Sequence, residues 1–121
     1  MADEQECAEY CPHFQHAIEV IGRRWTGSIV RLLADRSYRF AELRAAIPGL
    51  SDRLLDSRLR ELQEEGIVSR SDAGDVVQYS LTAKGRDLRP VFESVSAWAQ
   101  SHVDATPEVT PGRIKASDTA S

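Results

Sequence analysis

The sequence predicts a mainly α-helical domain carrying one small β-hairpin. Three observations predict it. Apolar residues recur at helical spacing through most of the chain, two of the helical stretches meet at a Pro48-Gly49 turn, and two β-favouring runs flank the turn-rich segment Ser71–Asp75. With 121 residues, 41% of them hydrophobic and 28% charged, the chain fits one globular domain with a core of its own. No apolar run approaches the roughly 18 residues that a spanning helix needs, so no membrane association is expected.

The opening MADEQECAEY carries four acids and no base, the reverse of a signal peptide. An acidic leader over residues 1–10 and a cytoplasmic protein are therefore expected. Pro12 suits a first helical position, and Phe14, Ala17, Ile18 and Ile21 follow at helical spacing up to Gly22. A second helix is written in WTGSIVRLLAD, with Trp25, Ile29, Leu32 and Leu33 on one stripe. In RFAELRAAI, Phe40, Leu43 and Ile47 predict a short helix that Pro48-Gly49 ends. Ser51 then caps a helix from Asp52 to Glu65 whose buried stripe is Leu55, Leu59 and Leu62, with Gly66 just past its end. Ile67–Arg70 and Val76–Leu81 read as the two strands of the hairpin. Thr82 caps a long final helix on which Leu88, Val91, Phe92, Val95 and Trp98 form a wide apolar stripe. Residues 105–121 have the composition of a disordered tail, which leaves 11–104 as the folded domain.

Charge is distributed unevenly. The net charge is −4, yet residues 21–70 hold ten arginines against seven acids, between acidic flanks. Two short helices joined by a tight turn and followed at once by a hairpin make a winged helix-turn-helix. At about 100° per residue, Arg53, Asp56, Ser57 and Arg60 fall on the side of the Asp52–Glu65 helix away from its leucines. Arginine there can fork onto guanine O6 and N7, serine can reach a base or a phosphate, and Asp56 can accept from a cytosine amino group or orient an arginine. Arg39, and Arg70 at the base of a hairpin tip that carries two aspartates, are the candidates for phosphate contact. The competing reading makes Arg53, Arg58 and Arg60 a solvated face paired with Asp56, Glu61 and Glu64.

Cys11-Pro12, IGRRWTGSIVRLL at 21–33, RFAEL at 39–43, LSDRLLDSRLRELQEEGIVSR at 50–70 and YSLTAKGRDLRPV at 79–91 occur in this order and spacing. The chain thereby resembles the HxlR family of bacterial winged-helix transcriptional regulators. It departs from the family pattern in the wing, where GDVVQY stands in place of a strand usually preceded by proline. The resemblance implies homodimers joined through the N- and C-terminal helices, with Phe14, Ile18, Leu88, Val91, Phe92, Val95 and Trp98 as interface candidates. It implies two recognition helices, each capped by its Ser51, in successive major grooves of a palindromic double-stranded DNA operator. It also implies an oxidant, an electrophile or a small ligand as effector, with Cys11 as the candidate redox sensor.

The helix that Cys11 precedes favours a thiolate there, whereas a half-buried cysteine with only a packing role is the plainer alternative. A structural disulfide framework is not expected from two cysteines in a reducing compartment. Cys7, Cys11, His13 and His16 could supply zinc ligands, but their spacing fits no zinc signature, so neither metal nor cofactor is expected. No glycine-rich phosphate loop or flanked nucleophile supports catalysis. The leading expectation is a DNA-binding transcriptional regulator. The alternative is a winged-helix protein-interaction or small-molecule sensor module without sequence-specific DNA binding.

Overall fold

The computed structural model describes residues 10–72 and 74–104, and the expected acidic leader and tail lie almost wholly outside them. The chain forms two compact units, the first ending at Arg86 and the second beginning at Asp87. The first contains α1 (Pro12–Ile21), α2 (Thr26–Asp35), α3 (Phe40–Ala46), α4 (Asp52–Glu64), β1 (Val68–Ser71), β2 (Gln78–Leu81) and α5 (Ala83–Arg86); the second contains α6 (Arg89–His102). This is the predicted mainly α architecture with one antiparallel hairpin.

Local chemistry sets the boundaries of α4. The Ser51 hydroxyl accepts from the Leu54 N–H at 3.1 Å, satisfying one of the donors orphaned at the helix start. At the other end Gly66 turns left-handed at φ 77°. Its N–H donates to the Gln63 carbonyl at 3.0 Å and the Ile67 N–H to the Leu62 carbonyl at 2.9 Å, the paired closure of a Schellman motif. Leu55, Leu59 and Leu62 are fully buried and pack in a core that includes Ile29, Leu33, Leu43 and Ile67.

The hairpin pairs Val68 with Leu81, Ser69 with Ser80, Arg70 with Tyr79 and Ser71 with Gln78. Strand pairing starts and ends later than predicted on β1, and β2 begins at Gln78 instead of Val76. A lone two-stranded hairpin is marginal in water. Tyr38 lends a third rung, bridging Tyr79 through N–H···O bonds of 3.0 and 2.8 Å.

Two further expectations are corrected. Thr82 does cap a helix, its hydroxyl accepting from the Gly85 N–H at 3.0 Å, but the helix stops at Arg86 and α6 starts afresh at Arg89. Pro90 explains the break: a continuous helix would drive its ring into the Arg86 carbonyl and lose a hydrogen bond, whereas in the first turn of α6 its missing N–H removes nothing. Leu88 consequently sits at the N-cap of α6 and not within a helical stripe. In α2 the buried residues are Thr26, Ile29, Val30 and Leu33, without Trp25 or Leu32. Trp25 lies outside the helix at φ 76°, a left-handed conformation that costs a bulky side chain on the order of 1–3 kcal/mol.

Candidate nucleic-acid interface

α4 presents three faces. The leucine face is buried. The opposite face carries Arg53 and Arg60, both exposed, with Asp56 and Ser57 half-buried between them. Arg60 Nε meets Asp56 Oδ2 at 2.9 Å, one turn apart, so the carboxylate orients that guanidinium. Arg53 makes no ion pair or hydrogen bond with any described residue, although Asp56 stands at i+3 from it. Its five donors are open to solvent or to a ligand. The third face, between these two, holds Arg58, Glu61 and Glu65 against the segment formed by α1 and the turn after it. Arg58, 12% exposed, donates through Nε to the Arg24 carbonyl at 2.9 Å and lies 3.3 Å from Glu61. Glu61 also meets Arg23 at 3.1 Å, and Glu65 meets His16 Nε2 at 3.0 Å.

The turn between α3 and α4 is fixed from two sides. Gly49 adopts φ 86°, open to glycine at no steric cost. Arg44 Nη1 donates to the Leu50 carbonyl at 3.1 Å and to Asp52 Oδ1 at 2.9 Å, tying the end of α3 to the start of α4. The role of Arg44 was not visible in the sequence, since its partners come from the turn geometry. Arg58, placed on a solvated face by the competing reading, lies beside the leucines as its helical angle requires and is only 12% exposed, although it does meet Glu61.

Arg39 is exposed at the N-cap of α3, and its backbone N–H donates to Glu42 Oε1 at 2.9 Å. That bond, with the Arg36 guanidinium beside it, holds the Glu42 carboxyl below its ordinary range. On the hairpin, Arg70 meets Asp72 at 2.9 Å, and the nearby Tyr79 hydroxyl together with that carboxylate raises the guanidinium above its usual value. The acidic tip therefore occupies one edge of the cation expected to hold a phosphate.

Cys11 is the N-cap of α1, its sulfur accepting from the Phe14 N–H at 3.3 Å. Contrary to the expectation from compartment, it is disulfide-bonded, with its partner outside the described residues. Of the histidines considered with it, His16 is engaged by Glu65 and His13 is exposed; Cys7 lies outside the described residues. Phe14 and Ile18, one turn apart, form an exposed apolar strip on α1, and Tyr10, just before the helix, is exposed as well. On α6, Val91, Val95 and Trp98 form another at i, i+4 and i+7, while Leu88 and Phe92 are half-buried. Among the described residues no helix is long and apolar enough to cross a membrane.

The family model for the HxlR-like helix-turn-helix matches residues 20–107, which contain α2 to α6 and the whole hairpin. The chain belongs to the HxlR-like family. It is 41% identical over 100 residues to the HTH-type transcriptional regulator YvaP of Bacillus subtilis (strain 168), covering 80% of this chain and 93% of that one. The crystal structure of quinone-bound YodB from B. subtilis superposes with a TM-score of 0.69 at 40% identity, over 75% of this chain and 99% of that one. The redox regulator HypR in its reduced form gives 0.68 at 35% identity, over 73% and 90% of the two chains. This HxlR-like protein is thus a DNA-binding transcriptional regulator with a winged helix-turn-helix fold. Its family is one of regulators and not of enzymes.

Proposed function

We propose that this regulator acts in the cytoplasm as a homodimer on a palindromic operator, reading bases with α4 and answering an oxidant or electrophile through Cys11. The domain that does so spans residues 11–104. Arg53, Ser57 and Arg60 enter the major groove, Asp56 orients Arg60, Ser51 caps the reader, and Arg39 and Arg70 hold phosphates. The observation that carries this reading is the outward face of α4, where Arg53 has no partner among the described residues and Arg60 is held at 2.9 Å by a carboxylate one turn away. A guanidinium left open and another pre-oriented suit bidentate recognition of guanine.

Arg53→Ala and Arg60→Ala are each expected to lose about 1–3 kcal/mol of discrimination against a changed base pair. Arg70→Ala should instead weaken binding to all duplexes alike and flatten the salt dependence by about one unit of log K against log salt. Fluorescence anisotropy titrations over a range of salt separate the two. Equal losses on every duplex from all three variants would remove α4 from base reading.

The sensor half rests on Cys11 standing at a helix N-terminus, where the helix dipole favours a thiolate once the disulfide is reduced. The quinone bound to YodB and the reduced and oxidised forms of HypR support an oxidant or an electrophile as the effector class. Diamide or benzoquinone should shift the DNA affinity of the reduced wild-type protein by about 5- to 150-fold, a usual range for coupling between two sites. Cys11→Ser should abolish that shift. An equal response from the variant would place the sensor elsewhere.

A further inference from the structure

The third face of α4 meets the most strained stretch of the described backbone. Trp25 is the one non-glycine at positive φ among the described residues, at 76°. Such outliers persist where their surroundings over-determine them, and here two contacts do so. The carbonyl just before it, that of Arg24, accepts from Arg58 Nε at 2.9 Å. The Trp25 ring reaches the turn before α4, where a Cβ added at Gly49 would lie 3.8 Å from Cη2. One twisted peptide unit thus touches α4 at its middle and the turn at its start. Arg23, two residues before Trp25, adds an ion pair to Glu61 at 3.1 Å, and Glu61 in turn flanks the Arg58 guanidinium at 3.3 Å.

We propose that the Arg24–Trp25 unit, with Arg58 and Glu61, is a positioning device that sets the roll of α4 about its own axis and so decides which outward side chains reach the bases. The inference rests on α4 being the base reader. Apolar burial of Leu55, Leu59 and Leu62 is non-directional and supplies no orienting contact on the sides of the helix away from the core. A planar guanidinium shared between a fixed carbonyl and a carboxylate is directional, and it acts on a face that is neither the core nor the reading side. Because Arg53 and Arg60 extend far from the axis, a small roll moves their donors off a bidentate geometry while phosphate contacts elsewhere remain.

The test uses the full-length chain and a duplex that the wild-type protein selects from a random-sequence pool, together with single-base-pair variants of that duplex. Arg58→Lys keeps the charge but loses the fork, so the ratio of affinities for selected and altered duplexes should fall at least about threefold, with the salt slope and thermal midpoint close to wild type. Glu61→Gln, whose amide oxygen still accepts, should show a smaller fall. A merely structural role would lower stability and weaken every duplex by one factor with the ratio kept, and that result would overturn the proposal. Should Arg58→Lys fail to fold, an unchanged ratio in Glu61→Gln overturns it equally. Arg53→Ala serves as the reference: if it leaves the ratio intact, base reading by α4 itself has failed and this inference falls with it. If Arg53→Ala lowers the ratio and Arg58→Lys does not, only the positioning device is lost.

Discussion

The double substitution Phe14→Glu with Ile18→Glu is expected to yield a folded monomer whose affinity for a two-half-site duplex is about 10²- to 10⁴-fold below wild type. Phe14 is 65% and Ile18 45% exposed, one helical turn apart on α1, so the chain's own core does not need them. Surface changes of this kind usually alter stability by only about 0.5 kcal/mol. An apolar strip left in water on α1, and another on α6 where Val95 and Trp98 are 55% and 53% exposed, are what an isologous interface would cover. Two carboxylates set against their symmetry mates would repel each other and lose their hydration. The large loss on DNA follows because the second half-site is otherwise engaged at the high local concentration that dimerisation provides. Sedimentation velocity and anisotropy on one-site and two-site duplexes measure both effects. A variant that still sediments as a dimer would move the interface away from α1.

Gly85→Ala should destabilise the fold by about 2–3 kcal/mol or more. In an ordinary helix this change gains up to about 1 kcal/mol through propensity. Here the added Cβ would stand 2.2 Å from the Ile67 carbonyl oxygen and 3.1 Å from side-chain atoms of Ile67 and Leu81. That carbonyl cannot swing aside cheaply, because it accepts from the Thr82 N–H at 3.0 Å and the Thr82 hydroxyl at 3.2 Å, bonds that dock α5 beside the hairpin. Overpacking against immobile backbone lies at the upper end of the usual 1–3 kcal/mol range, so it outweighs the propensity gain. Urea denaturation gives the difference directly. Gly85→Ala unfolding at a higher urea concentration than wild type would show the close approach to be absent in solution.

Much of the helix-turn-helix was legible because its punctuation is local. Ser51 caps and Gly66 closes α4 by interactions within a few residues, and Pro12 opens α1 in the same way. The leucine spacing of α4 also gave its outward face, since angle around a helix follows from residue number alone. The features that periodicity does not report depend on distant parts of the chain or on competing local rules. Apolar spacing alone puts Trp25 in the α2 stripe, since a bulky side chain is rarely found in a left-handed turn; with it outside, the buried set is Thr26, Ile29, Val30 and Leu33. Pro90 breaks a helix that the strong apolar period following it would otherwise predict as continuous. The contacts of Arg44 with Leu50 and of Arg58 with Arg24 span turns whose shape no periodicity reports. The tip aspartates were visible, but their capture of Arg70 required the hairpin register.

The closure at Gly66 has a mechanical consequence. Because the Ile67 N–H is bonded back to Leu62 and β1 begins at the very next residue, there is no slack between α4 and the wing. The two behave as the jaws of a caliper set to one opening. A half-site whose groove and flanking backbone do not match that opening has to be bent or twisted to fit, so the ease of deforming the duplex becomes part of what this regulator selects.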